Sequence, residues 1–180
     1  MLRRFFLSPV VKVSARYGAI AGVLCIGLVI SLFYMDKHPF LVNPFLDFRV
    51  FVFSVLLYFS LKEIRDFYQD GLLHFWQGMG GSLLFLAASA LISSSGILLF
   101  GSWQPAFVSD YVMQFTQQIQ NLPPETVERI GKDVIERNLK ALPETTLGNL
   151  ASLYAWQTFQ IGFFISIIIS VILRRQPKPE

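Results

Sequence analysis

Four stretches of this chain are almost free of charge, residues 17–35, 50–61, 78–101 and 150–173, and they fix the solvent in which most of it folds. An α-helix rises about 1.5 Å per residue, so roughly 18 to 20 apolar residues cross the ~30 Å hydrocarbon core of a bilayer. The first, third and fourth stretches reach that length unaided. Composition points to the same solvent: the 180 residues are 53% hydrophobic and 15% charged, too oily for a soluble domain of this length.

The second stretch is shorter. Its uncharged core, "VFVFSVLLYFSL", has 12 residues, a length that more often marks an interfacial or buried segment. Phe45, Leu46 and Phe48 extend it on one side, and Arg49 and Lys62 have stems long enough to carry their charges to the two interfaces. A span over residues 44–66 is therefore expected.

Charge distribution sets the threading. Lys and Arg close to a span tend to stay on the cytoplasmic side. Arg3, Arg4, Lys12 and Arg16 precede the first span, and Arg174, Arg175 and Lys178 follow the last, so both termini read as cytoplasmic and the number of spans as even. Four spans place nine basic and four acidic residues inside, against six basic and eight acidic outside. The net charge of +3 thus sits in short tails beside spans. It does not form a basic patch interleaved with exposed aromatics, which excludes a nucleic-acid partner. A cleaved signal peptide is not expected either, because the first run is as long as a span and ends in "FYMDKHPF" without a small-x-small site. Cys25 is the only cysteine, which removes disulfide, CxxC and cysteine-metal chemistry and leaves a small packing residue.

Residues 102–149 form the largest piece outside the spans and carry a helical pattern. In "PAFVSDYVMQFTQQIQNL", Val108, Tyr111, Val112, Phe115, Ile119 and Leu122 recur at helical spacing. Pro123 and Pro124 end that helix. "ETVERIGKDVIERNLKAL" then gathers Val127, Ile130, Val134, Ile135 and Leu142 on one face. Glu125 and Arg129, Glu128 and Lys132, Asp133 and Arg137, and Glu136 and Lys140 are acid-before-base pairs four residues apart, so a single solvated helix is expected there.

"LPETT", at residues 142–146, has two readings. As a cell-wall sorting signal it would discard the last helix; as a helix start it keeps it. The fifth residue is Thr146 rather than glycine, and "LPPET" at residues 122–126 repeats the theme ahead of another helix. Proline is tolerated in a first turn and an acid there suits the helix dipole, so the last helix is expected to begin near Pro143.

Helices in lipid approach closely where small residues recur every four positions. Thr158, Gly162, Ser166 and Ser170 make the most continuous stripe, Gly18 with Gly22 beside Ala15 and Ala19 make another, and Ser89, Ser93 and Gly96 a third. These residues are the candidate helix-packing sites. Packing within one chain is the favoured reading and a homo-oligomer the other. The second span is bulky throughout and is expected to lie peripherally.

No Asp, Glu, Lys, Arg or His is expected at mid-depth, where intramembrane catalysis or ion transport usually needs one. Gln157, Gln160, Ser54 and Tyr58 are the remaining polar candidates. His74, in "QDGLLHFWQGMGG" beside Trp76, and His38 read as interfacial, with a pH-sensing or ligand role as the alternative. No HExxH, paired carboxylates or phosphate loop appears, so no catalytic, cofactor or metal residue is assigned.

The chain resembles a family of four-span bacterial membrane proteins, the domain of unknown function 4199. The resemblance rests on "RYGAIAG" at residues 16–22, "LKEIRD" at 61–66, "GLLHFWQGM" at 71–79 and "IISVILRR" at 168–175. It implies the cytoplasmic membrane of bacteria and carries no catalytic residue across. The expectation is thus an all-α membrane protein, one domain over residues 1–180, with four transmembrane helices, cytoplasmic termini and an external helical hairpin between the third and fourth spans. Its partners would be the lipid bilayer and a protein met through that hairpin. A non-catalytic accessory or assembly component is the favoured function and an oligomeric transport or permeation protein the alternative; an enzyme acting on lipids lacks candidate residues.

Overall fold

The computed structural model describes residues 8–42 and 47–175. Arg3, Arg4 and Lys178, and Pro44, Phe45 and Leu46 at the expected start of the second span, lie outside the described residues. Four long helices make the body: α1 (Pro9–Tyr34), α2 (Phe48–Tyr68), α3 (Phe75–Trp103) and, after the insertion, α7 (Leu147–Leu173). The insertion holds α4 (Ala106–Gln120), α5 (Pro124–Ile130) and α6 (Lys132–Ala141). Among the described residues α1, α3 and α7 are long and apolar enough to cross a membrane. The last two turns of α2 carry Lys62, Glu63, Arg65 and Asp66, which keeps it out of that set.

α1 and α7 each pack against both α2 and α3, so the four helices close into a square with α2 and α3 on opposite corners. Each helix turns one stripe inward: Ala21, Cys25 and Val29 on α1; Phe53, Leu57, Leu61 and Ile64 on α2; Phe85, Leu86 and Ile97 on α3; Leu150, Tyr154, Ile165 and Ile169 on α7. α2 is therefore not peripheral. It forms a full wall, and its large side chains reach across the gap that their own bulk opens, with Phe53 edge-on to Phe85 at 5.9 Å between ring centroids.

The helix ends follow local chemistry more closely than the hydropathy runs. Ser8 accepts the Val11 N–H at 3.4 Å and Pro9 occupies the first turn, so α1 starts two turns ahead of its apolar run. Asp47 accepts the Arg49 N–H at 2.9 Å and starts α2. The last helix does not begin at Pro143. Leu142–Glu144 is a single 3-10 turn, and α7 begins at Leu147 behind Thr146. Thr146 accepts the Asn149 N–H while Asn149 bonds the Thr146 N–H, which satisfies two of the donors that a helix starting at Leu147 leaves without an intrahelical partner.

The charged helix of the insertion also differs from expectation. Gly131, at φ +94°, divides it into α5 and α6. Only glycine adopts that conformation freely. Pro124 and Glu125 do occupy the first turn of α5. None of the four acid–base pairs stands among the ion pairs of the described residues. Glu128 and Lys132 straddle the break, and the others extend into water, where such pairs gain little.

Candidate functional site: a clasp and a polar recess at one end of the bundle

After α1 the residues Met35 to Val42 turn back against the bundle, and His38 is their pivot. The ring is 1% exposed, so it is not the solitary interfacial histidine expected. It lies among Phe107, Tyr111 and Phe40, with ring centroids 4.9, 5.1 and 5.6 Å away. Nε2–H donates to the Phe107 carbonyl at 3.1 Å, Nδ1 accepts the Phe40 N–H at 3.4 Å, and the backbone N–H donates to Gln114 Oε1 at 3.0 Å. Burial pushes the ring down from its ordinary 6.5 to about 4, against the opposing pull of the Phe107 carbonyl, and raises the Tyr111 phenol. A neutral imidazole thus ties α4 to the turn between α1 and α2. Phe33 and Phe100 complete the clasp, each within 5.6 Å of Phe107.

Beneath the clasp lies Arg49, whose side chain turns into the bundle rather than out from it. It is 8% exposed. Nε donates to both Asp47 oxygens at 2.9 and 2.8 Å, and Nη2 donates to Gln157 Oε1 at 2.9 Å. The guanidinium carbon stands 4.3 Å above the Tyr154 ring. Tyr154 and Gln157 are seven and ten residues into α7, so the charge sits two to three turns inside the bundle. Reading Arg49 from its position at the start of α2 missed this, because α2 begins well below the ends of its neighbours. A cavity of about 220 Å³ opens beside the guanidinium, lined by Asp47, Arg49, Gln157 and Gln160 together with Phe40 and Ile161. Arg49 Nη1 has no hydrogen-bond partner among the described residues.

The small residues singled out in the sequence lie elsewhere, at the helix crossings. Thr158, Gly162, Ser166 and Ser170 are all buried on α7, with Gly162 and Ser170 against α3. Leu86 covers Gly162 so closely that a Cβ there would overlap its side chain, and a Cβ on Gly78 would come within 2.9 Å of Ser170 Oγ. Gly18 and Gly22 lie against the α3 backbone at Phe85 and Ser89. Ser93 and Ser166 return their hydroxyls to the carbonyls of Ser89 and Gly162 in their own helices, at 2.7 and 2.6 Å. Ser94 donates across the crossing to the Ala151 carbonyl at 3.2 Å.

The opposite end of the bundle brings the four quoted sequence segments together. Arg16 donates to both Glu63 oxygens at 2.8 and 2.7 Å, and Tyr17 adds a hydroxyl donor at 2.9 Å. Leu73 and Arg175 exchange backbone hydrogen bonds of 3.1 and 3.0 Å, which closes the α2–α3 connection against the end of α7. His74 starts α3 there, exposed, with its backbone N–H on Gln77 Oε1 at 3.0 Å.

No group of three or more His, Cys, Asp or Glu among the described residues stands close enough to hold a metal ion. A family model described as protein of unknown function (DUF4199) matches residues 16–175. No curated protein and no solved structure matches the chain.

Proposed function

The chain belongs to this family of proteins of unknown function, and on that premise we propose that it is a non-catalytic accessory or assembly component of a bacterial cytoplasmic membrane, with α4–α6 presented on the outer surface. In this reading α2 is the fourth span. Its outward Phe51, Val55 and Phe59 face lipid, and its charged last turns meet Arg16 at the cytoplasmic interface. Lys12, Arg16, Lys62, Arg65, Arg174 and Arg175 all lie toward that end, as the positive-inside tendency requires.

The observation that carries the functional reading is the contrast within the insertion. α4 is clasped to the bundle through His38 and Phe107, whereas α5 and α6 pack mainly on each other and the turn at Leu142–Glu144. Ile130 and Val134 remain 44% and 42% exposed on an otherwise charged surface. A rigid base carrying an amphipathic, uncovered arm is suited to holding another protein. A permeation path would need open space beside the α7 ladder; Leu86 over Gly162 and Gly78 against Ser170 favour the accessory reading.

Purification in mild detergent tests it. A stoichiometric partner that survives Val134→Leu and is lost in the double substitution Ile130→Asp, Val134→Asp is the expected result. A homo-oligomer without other protein that releases ions or solutes from liposomes would replace this reading with transport.

A further inference from the structure

We propose that the recess beside Arg49 is a binding site for a phosphodiester monoanion, with Arg49, Gln157 and Gln160 as its donors. The site does not depend on what α5 and α6 hold. Three observations lead to it: an arginine more than nine-tenths buried, an Nη1 on that arginine without a partner among the described residues, and a cavity of about 220 Å³ that the same side chain lines. A buried charged N–H left without an acceptor is costly, and the cavity adjoins the guanidinium, so a small turn of the side chain would present Nη1 to an oxygen placed there.

The donor inventory fixes the sign of the ligand. Arginine cannot accept a hydrogen bond, so the Gln157 oxygen must be the atom 2.9 Å from Nη2, and its NH2 group is turned away from the guanidinium. Gln160 brings a second amide to the same wall. The Asp47 oxygens are already taken by Nε and Nη2. The cavity is therefore rich in donors and short of free acceptors, the pattern that receives an oxyanion.

Charge balance narrows the class. Asp47 already offsets Arg49, so a dianion such as free phosphate would add two uncompensated charges in a poorly solvated place, whereas a phosphodiester adds one. Phe40 and Ile161 give the cavity apolar walls suited to a glycerol ester. With the topology proposed above, two to three turns of α7 place the site roughly 10 to 15 Å inside the outer end of the bundle, level with the outer leaflet. That depth favours a membrane phospholipid as the source, and a soluble glycerophosphodiester shares the same chemistry.

Native mass spectrometry of the full chain in detergent separates these cases without reference to topology. Dioleoylphosphatidylglycerol should stay bound to the folded protein, and dioleoylglycerol, which lacks the phosphate, should not. Arg49→Lys and Gln160→Leu should each weaken retention at least about tenfold, the loss expected for one charge-assisted hydrogen bond. Asp47→Leu combined with Arg49→Leu removes the pair together and guards against unfolding by an orphaned charge; it should elute as the folded protein and hold no lipid. Glycerophosphoglycerol bound with the same sensitivity would support the site and assign its ligand to water. Equal retention of diacylglycerol, variants that bind as the parent does, or no binding to the folded parent would each overturn the proposal.

Discussion

A second proton on His38 would find no acceptor among the described residues. Nε2–H already donates to the Phe107 carbonyl, Nδ1 is occupied by the Phe40 N–H, and the remaining neighbours are the rings of Phe40, Phe107 and Tyr111. The folded ring titrates near 4 and the unfolded one near 6.5, so the unfolded state binds more protons between those values. The contribution of this group is complete above pH 6.5 and is lost as the pH falls toward 4. Amide exchange in α4, corrected for its intrinsic pH dependence, should therefore accelerate over that window, while the α1–α3 crossing stays protected. His38→Leu should abolish the acceleration; the same pH response in that variant would assign it to other groups. Thr146 is a second place where one side chain decides local structure. Thr146→Ala should cost about 1 kcal/mol, the usual worth of an N-cap, and Thr145→Ala only a few tenths, in thermal unfolding of the detergent-solubilised protein. Within "LPETT" the proline–acid rule points to a start at Pro143, four residues ahead of the observed one. The cap was hidden because its partner at the third position is Asn149, where the capping box usually has Glu or Gln. Arg49 was hidden for a different reason: Gln157, which meets it, is 108 residues away in the chain.

Among the elements, the crossing of α3 and α7 is a close fit, with Gly162 packed directly against Leu86. Without an apolar solvent gradient to drive association, helices in lipid are held by close packing and the hydrogen bonds that closeness permits. The stripe Thr158, Gly162, Ser166, Ser170 could be read directly from its spacing because that constraint acts on side-chain volume alone. Its opposing surface could not, since nothing in α7 indicates that Leu86 of α3 fills the groove. Gly162→Leu should separate the two helices and reduce the yield of monodisperse protein severely, because the new side chain and Leu86 claim one volume. Ser166→Leu should act in the same direction. Ile167→Leu, partly exposed and nearly equal in volume, should change the unfolding midpoint by little. Size-exclusion profiles that treat all three alike would show that the stripe does not set the crossing. Gly131 marks the limit of such pattern reading. A glycine inside a helix costs only about 1 kcal/mol, so an unbroken series of ion pairs around it reads as one helix. Its φ of +94° ends α5 instead.

At the scale of the molecule, the two ends of the bundle differ in kind. One end is tied by Arg16, Tyr17 and Glu63 and by the backbone exchange between Leu73 and Arg175, all within the segments that carry the family resemblance. The other end holds the insertion, the His38 clasp and the Arg49 recess. That all-helical plan was legible because span length and charge asymmetry are properties of the whole chain, insensitive to where any helix is capped. The recess was not, since it exists only because α2 starts two to three turns below the N-terminal end of α7. Threading is the remaining consequence. In the proposed topology the first end faces the cytoplasm, so single cysteines at Ser8 and Asp70, placed in a Cys25→Ser background, should be shielded from an impermeant thiol reagent in intact cells. A cysteine at Gln117, exposed on α4, should react. Permeabilised cells supply the control, since there all three should label. If α2 did not cross, Ser8 and Asp70 would fall on opposite sides of the membrane, and labelling of one without the other in intact cells would remove α2 from the set of spans.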